Sequence, residues 1–182
     1  VMNKSALLFI LNRVTGEPVF GVTETPVPAS PVPGEVASPT QPIPNKPPQL
    51  ARNSFSLDEV SDVTPEHKAF CEGLIANDQL QGSVRFQPIP TDHPIIRFPG
   101  GEGGPEWAGG AFDPKLGLFI VNTNNFGYIE KLVKQADGEY NMTSGRFVDP
   151  KTRLYCQKTP WGMLSAVNVN TGDIAWQVNL GI

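Results

Sequence analysis

A chain of 182 residues with 19 prolines, 18 glycines and only 18% charged residues is built for strands and loops rather than long helices. Its formal net charge of -4, with no run of Lys and Arg longer than a pair, excludes nucleic acid and anionic lipid as principal partners. No apolar stretch approaches the roughly 20 residues of a membrane helix. The two cysteines, Cys71 and Cys156, are too few for a disulfide scaffold and too distant in sequence for a zinc knuckle, which leaves open one disulfide or two buried thiols.

The opening, "VMNKSALLFIL", is expected to enter a buried strand at Ala6–Leu11 almost at once, as if cut from a longer chain. "LLFILNRVTGEPVF" (residues 7–20) then lays over "MLSAVNVNTGDIAW" (residues 163–176), with Leu8/Leu164, Asn12/Asn168, Thr15/Thr171, Gly16/Gly172, Glu17/Asp173 and Phe20/Trp176 coinciding. Each copy is a strand, an N-x-x-T-G turn and a second strand ending in an aromatic ring. Residues 22–50 hold nine prolines, too many missing amide donors for a sheet interior or a helix, so an ordered extended excursion over residues 22–55 is expected.

A helical insertion follows over 56–80. Thr64 suits the cap, Pro65 the first helical position, and Phe70, Cys71, Leu74 and Ile75 share one face, while Ser56 and Glu59 can cap a shorter turn before it. His67 and His93 lack metal-pair spacing and are expected to be structural or exposed. The glycines at 100, 101, 103 and 104 stand near Trp107, an arrangement that suits a ligand loop or a simple turn. Residues 109–125 form a further hairpin, with Asp113-Pro114 opening the turn and Gly117 closing it, and residues 145–156 are a weaker echo. Short strands recurring with a glycine and a large aromatic ring suggest an all-β propeller array, with a β-sandwich of similar hairpins as the other architecture the pattern allows.

Four stretches together, "FILNRVTGEPVF", "TPVPASPVPGEVASPTQPIP", "FPGGEGGPEWAGGAFDPKLGLFIVNTNN" and "TPWGMLSAVNVNTGDIAWQVNLG", resemble the quinoprotein dehydrogenases that use pyrroloquinoline quinone (PQQ), most closely the membrane-linked glucose dehydrogenase branch. The resemblance implies an eight-bladed β-propeller, of which residues 1–182 would supply a part, about three blades at roughly 40 to 45 residues each. It implies oxidation of glucose or a related sugar or alcohol by hydride transfer to PQQ, with electrons passed to a quinone acceptor. A periplasmic setting is implied too, with membrane association through an N-terminal region outside this chain. A propeller that keeps the repeats but serves as a binding scaffold is the alternative.

Four positions match the family's cofactor-binding pattern. Lys4 stands where an ammonium would polarise a quinone carbonyl. Asn122 could donate its amide to the cofactor, Glu106 would orient the lysine or bond at the cofactor edge, and Trp161 would bring an indole N–H to a carboxylate. Trp107 and Trp176 are assigned to blade packing. The resemblance also makes a Cys71–Cys156 disulfide plausible. It places the proton-abstracting aspartate and the ligands of a divalent cation, Ca or Mg, in upstream blades, so no catalytic or metal residue is assigned here and the chain alone is expected to be inactive. The remaining blades are the partner it would need.

Overall fold

The computed structural model describes residues 1–105 and 109–181. In chain order its elements are β1 (Val22–Pro26), β2 (Thr40–Pro44), a single 3-10 turn (Leu57–Glu59), α1 (Pro65–Asn77), β3 (Ile95–Arg97), β4 (Ala111–Asp113), β5 (Leu118–Asn124), β6 (Tyr128–Lys134), β7 (Tyr140–Arg146), β8 (Gly162–Asn168) and β9 (Asp173–Asn179). They make three antiparallel sheets: the ribbon β1-β2, the sheet β3-β6-β7 and the four-stranded sheet β4-β5-β8-β9. The pair β6-β7 is thus inserted between two strands that are neighbours in the main sheet.

The repeated turn folds the same way twice. Gly16 and Gly172 take φ of +77° and +72°, and their N–H groups donate to the Asn12 and Asn168 carbonyls at 2.7 and 2.8 Å. Each Asn side chain accepts a backbone N–H two residues on, from Val14 and Asn170, both at 2.9 Å. Asn is suited to this because its carbonyl oxygen can mimic a backbone acceptor. The flanks differ. The second copy is the full ladder β8-β9, whereas the expected strand at Ala6–Leu11 makes only the isolated bridges Met2↔Leu8 and Leu11↔Pro18. Ala6, at φ +61°, breaks the extended run, and the segment's backbone groups are shared among Val1, Asn3, Val19 and Leu50.

The Pro-rich segment forms a ribbon without straining the ladder. Pro42 and Pro44 face Glu24 and Val22, and Pro26 faces Thr40. A proline has no N–H to exchange, so these are the non-bonded pairs and the missing donors point outward. That leaves an edge poorly suited to strand addition.

Two apolar cores position the rest. Phe55, Val60, Cys71, Leu80, Ile96, Phe98, Phe147 and Cys156 form the larger, with Phe98 stacked on Phe55 at 5.7 Å and Phe147 edge-on to it at 5.5 Å. Cys71 and Cys156 are joined as a disulfide within it. Thr64 caps α1 by accepting from His67 N–H at 3.2 Å, and Ser56 and Glu59 form the capping box of the 3-10 turn. The helix face differs from expectation at one position. Phe70 remains 39% exposed, and His67 is buried instead beside Cys71, because its ring nitrogen finds a backbone carbonyl in the core. Ala6, Leu8, Leu50, Val121 and Val167 make the smaller core, joining the N-terminal segment to the four-stranded sheet. No helix among the described residues is long and apolar enough to cross a membrane.

Candidate functional site

Register decides which loops meet. Asn124 ends β5 opposite Gly162, which begins β8, so the loop after β5 and the loop before β8 leave the sheet at the same end. Gly104 ties the N-terminal segment to that rim. Its N–H donates to the Lys4 carbonyl at 2.9 Å, and its carbonyl accepts from the Asn124 N–H at 2.5 Å. Asn125 completes the rim, donating its backbone N–H to the Trp161 carbonyl at 2.9 Å and its amide to the Pro160 carbonyl at 3.1 Å.

Lys4 is exposed on this rim and has no ion-pair partner among the described residues. Its stem lies against Gly103, where an added methyl group would meet Lys4 Cγ at 2.6 Å. The side chain borders two clefts, one of about 420 Å³ walled by Phe86, Arg97 and Phe98, the other of about 380 Å³ walled by Glu102, Gly109 and Phe119.

Trp161, immediately before β8, is half-buried. Its indole N–H donates to the Gln157 carbonyl at 3.0 Å. The N–H expected to reach a ligand carboxylate is therefore engaged, and what Trp161 offers is its ring. That ring meets Tyr155 edge-on at 5.7 Å, and Tyr155 stacks on Phe126 at 4.4 Å.

Asn122 lies within β5 opposite Leu164 and is half-buried. Strand alternation sets it on the face opposite Val121 and Thr123, which pack toward the N-terminal segment. The described clefts that Lys4 borders do not include Asn122. Glu106 and Trp107 lie outside the described residues. Trp176 sits on β9 and is 39% exposed, with its neighbours Val178 and Leu180 also open.

Sequence reasoning missed the group that connects Lys4 to Trp161. Glu102, across a cleft from Lys4, forms an ion pair with Arg146 at the end of β7, and Arg146 Nε donates to the Tyr128 hydroxyl at 3.3 Å. Arg146 and Tyr155 line one further cavity, which also holds Arg153. Burial pushes the Glu102 carboxyl up, but the hydrogen bonds from Arg146 and Tyr128 together with the Arg146 charge outweigh it and hold the group below its ordinary range. Burial pushes the Tyr128 and Tyr155 phenols up, so both are protonated donors near neutral pH. The hydrogen bonds from Arg146 to Tyr128 and Glu102 raise its guanidinium further above the range in which it could lose a proton. The alternation "GRFVDPKTRLYC" held the signal, since a hairpin there returns Tyr155 opposite Val148.

His67, Cys71 and Cys156 come together in the core, but both sulfurs are bonded to each other and are not available to a metal. The Tyr155 carbonyl can only accept, so His67 donates to it from Nε2 at 3.0 Å, and its Nδ1 lies 3.9 Å from an Asp149 carboxylate oxygen.

The rim suits a flat polyanionic quinone in its donor set: the Lys4 ammonium, unpaired among the described residues, and an aromatic wall whose rings are held by their own contacts. Comparison with known proteins bears on the same point. The family model described as "PQQ: Glucose/ethanol/alcohol dehydrogenase, beta-propeller domain" matches residues 1–182. The chain is 30% identical to the quinate/shikimate dehydrogenase (quinone) of Acinetobacter baylyi, over 98% of this chain and 24% of that protein. It is 29% identical to the glycerol dehydrogenase large subunit of Gluconobacter thailandicus, over 98% of this chain and 28% of that protein. To the quinoprotein glucose dehydrogenase of Escherichia coli it is 25% identical, over 98% of this chain and 25% of that protein. It spans about a quarter of the length of the curated relatives it matches. With its antiparallel four-strand unit, its repeated aromatic hairpin and a match along its whole length, the chain belongs to the PQQ-dependent dehydrogenase β-propeller family and is part of such a propeller.

Proposed function

We propose that this chain forms the part of a PQQ-dependent dehydrogenase that holds one side of the cofactor, in an enzyme that oxidises glucose or a related sugar or alcohol and passes the electrons to a quinone acceptor. The observation that carries this reading is Lys4, an ammonium with no ion-pair partner among the described residues, on the rim where β5 ends and β8 begins. PQQ, when bound, supplies an ortho-quinone able to take up two electrons.

The chain's own residues have simpler tasks. Lys4 places a positive charge where negative charge grows on an acceptor oxygen, and Gly103 leaves room for its stem. Trp161, steadied by Tyr155 and by its bond to Gln157, presents an apolar ring to a planar ligand. Asn122 and Glu106 are proposed as further cofactor contacts, completed by blades outside this chain. The general base and the divalent-cation ligands are assigned to those blades as well. A disulfide sealed in the core supports an oxidising, periplasmic setting. The names of the relatives, which cover glucose, glycerol and quinate, support polyols as the substrate class.

The test is a PQQ titration of the full-length product with calcium or magnesium present, followed by dye reduction with sugars and alcohols. The reading predicts PQQ-dependent reduction that Lys4→Ala suppresses. No reduction with any of these substrates overturns it in favour of a scaffold propeller, and PQQ-dependent reduction that does not respond to Lys4→Ala overturns the role given to Lys4.

A further inference from the structure

Arg153 holds a backbone conformation that its side chain does not favour. Its φ is +65°, in a tight hairpin where Val148 pairs with Tyr155 and Arg153 N–H donates to the Asp149 carbonyl at 2.8 Å. Gly or Asn takes this position in hairpins at lower cost. A strained residue kept where a relaxed one would fit points to a use for its side chain.

That side chain borders a cavity of about 390 Å³ whose wall is Arg146, Val148, Pro150, Arg153 and Tyr155. Arg146 is already oriented, giving Nη2 to Glu102 and Nε to the Tyr128 hydroxyl. Among the described residues its Nη1 has no hydrogen-bond acceptor, and Glu102, the carboxylate it pairs with, is engaged in that orientation. Tyr155 stays protonated and feels both guanidinium groups. The cavity is therefore lined by two cationic residues and a tyrosine, together with the apolar Val148 and Pro150. Planar guanidinium forks match the bidentate geometry of a carboxylate, as they do that of a phosphate, which the experiment tests against it. The far side of Tyr155 contacts Trp161, so the cavity adjoins the proposed cofactor wall.

We propose that Arg146, Arg153 and Tyr155 form a carboxylate-binding subsite that selects a small polyhydroxy acid over its neutral counterpart. The subsite stands on its own geometry, and only its service to oxidation rests on the function proposed above. The carboxylate is the substrate's rather than the cofactor's, and the experiment separates the two.

Isothermal titration of the full-length, PQQ-loaded protein compares two matched pairs, D-glucuronate with D-glucose and glycerate with glycerol. The acids are expected to bind at least tenfold more tightly than their neutral partners. Arg153→Gly should abolish that preference without lowering Tm, because glycine relieves the backbone at this position. Arg146→Gln should weaken the acids at least tenfold, Arg146→Lys less, and Tyr155→Phe a few-fold. None of the arginine variants should move the Kd for PQQ. Equal binding of acid and neutral partners, a preference that survives Arg153→Gly, or tighter binding of inorganic phosphate than of either acid would overturn the subsite. A loss of PQQ affinity in the arginine variants would assign the carboxylate to the cofactor and overturn it equally. If dye reduction fails but the acids still bind in an Arg153-dependent way, the subsite stands and the proposed oxidation falls.

Discussion

Cys71 on α1 and Cys156 before β8 are bonded across 85 residues, with Cα atoms 5.4 Å apart and neither residue exposed. The bond pins the helix to the segment that carries Tyr155 and Trp161. Closing a loop of that length removes chain entropy from the unfolded state worth about 4.5 kcal/mol in the simplest model. Replacing both cysteines by serine should therefore lower unfolding stability by several kcal/mol in urea titrations, and wild-type protein under reducing conditions should show the same loss.

Lys4→Ala removes the rim's ammonium. Losing one preorganised electrostatic contact costs about 100-fold or more in kcat, so dye reduction by the full-length enzyme should fall on that scale while its Tm holds. Gly103→Ala tests the same position indirectly. The methyl group would push against the Lys4 stem, and activity should fall with the lysine still present.

Glu130 is fully buried and binds Arg97 through both carboxylate oxygens, with Ser144 adding a third bond at 3.2 Å. Glu130→Ala leaves a guanidinium without its partner at the edge of the core and should cost about 3 kcal/mol by chemical denaturation. Replacing Arg97 and Glu130 together by Met and Leu should recover part of that loss.

Asp149 gives a pH signature. Burial alone would raise its carboxyl, but the N–H of Lys151, the hydroxyl and N–H of Thr152 and the nearby His67 outweigh it and hold the folded value below the ordinary one. A depressed carboxyl stabilises the fold above its unfolded pKa of about 3.9, and that contribution disappears as pH falls through the folded value. Tm should drop through that acid window in the wild type, and Asp149→Asn should flatten the drop.

The two copies of the turn should respond unequally to the same change. Gly16→Ala meets nothing within 4 Å and costs only the positive φ, about 1 kcal/mol. At Gly172 the added carbon would stand 2.8 Å from Lys46 Cβ and 3.0 Å from the Phe20 ring. Gly172→Ala should lower Tm clearly more than Gly16→Ala.

The turns were legible in the sequence because their causes are local. Asn12 and Asn168 bond to backbone two residues on, Gly16 and Gly172 supply the left-handed φ, and Thr64 caps its own helix, all within a few residues. The family likeness was legible for a similar reason, since its motifs are strings of neighbours. The pairing of Cys71 with Cys156 rested on that likeness, with thiols as the alternative until the core brought the sulfurs together. Only the tertiary structure spent the Trp161 N–H on Gln157, buried His67 in place of Phe70, and set Asn122 on the face of β5 opposite Val121. It alone joined Glu102, Arg146, Arg153 and Tyr155, which are separated by up to 53 residues. Which polar group meets which is decided by strand register and burial, and these are properties of the assembled sheets, not of any short stretch of chain.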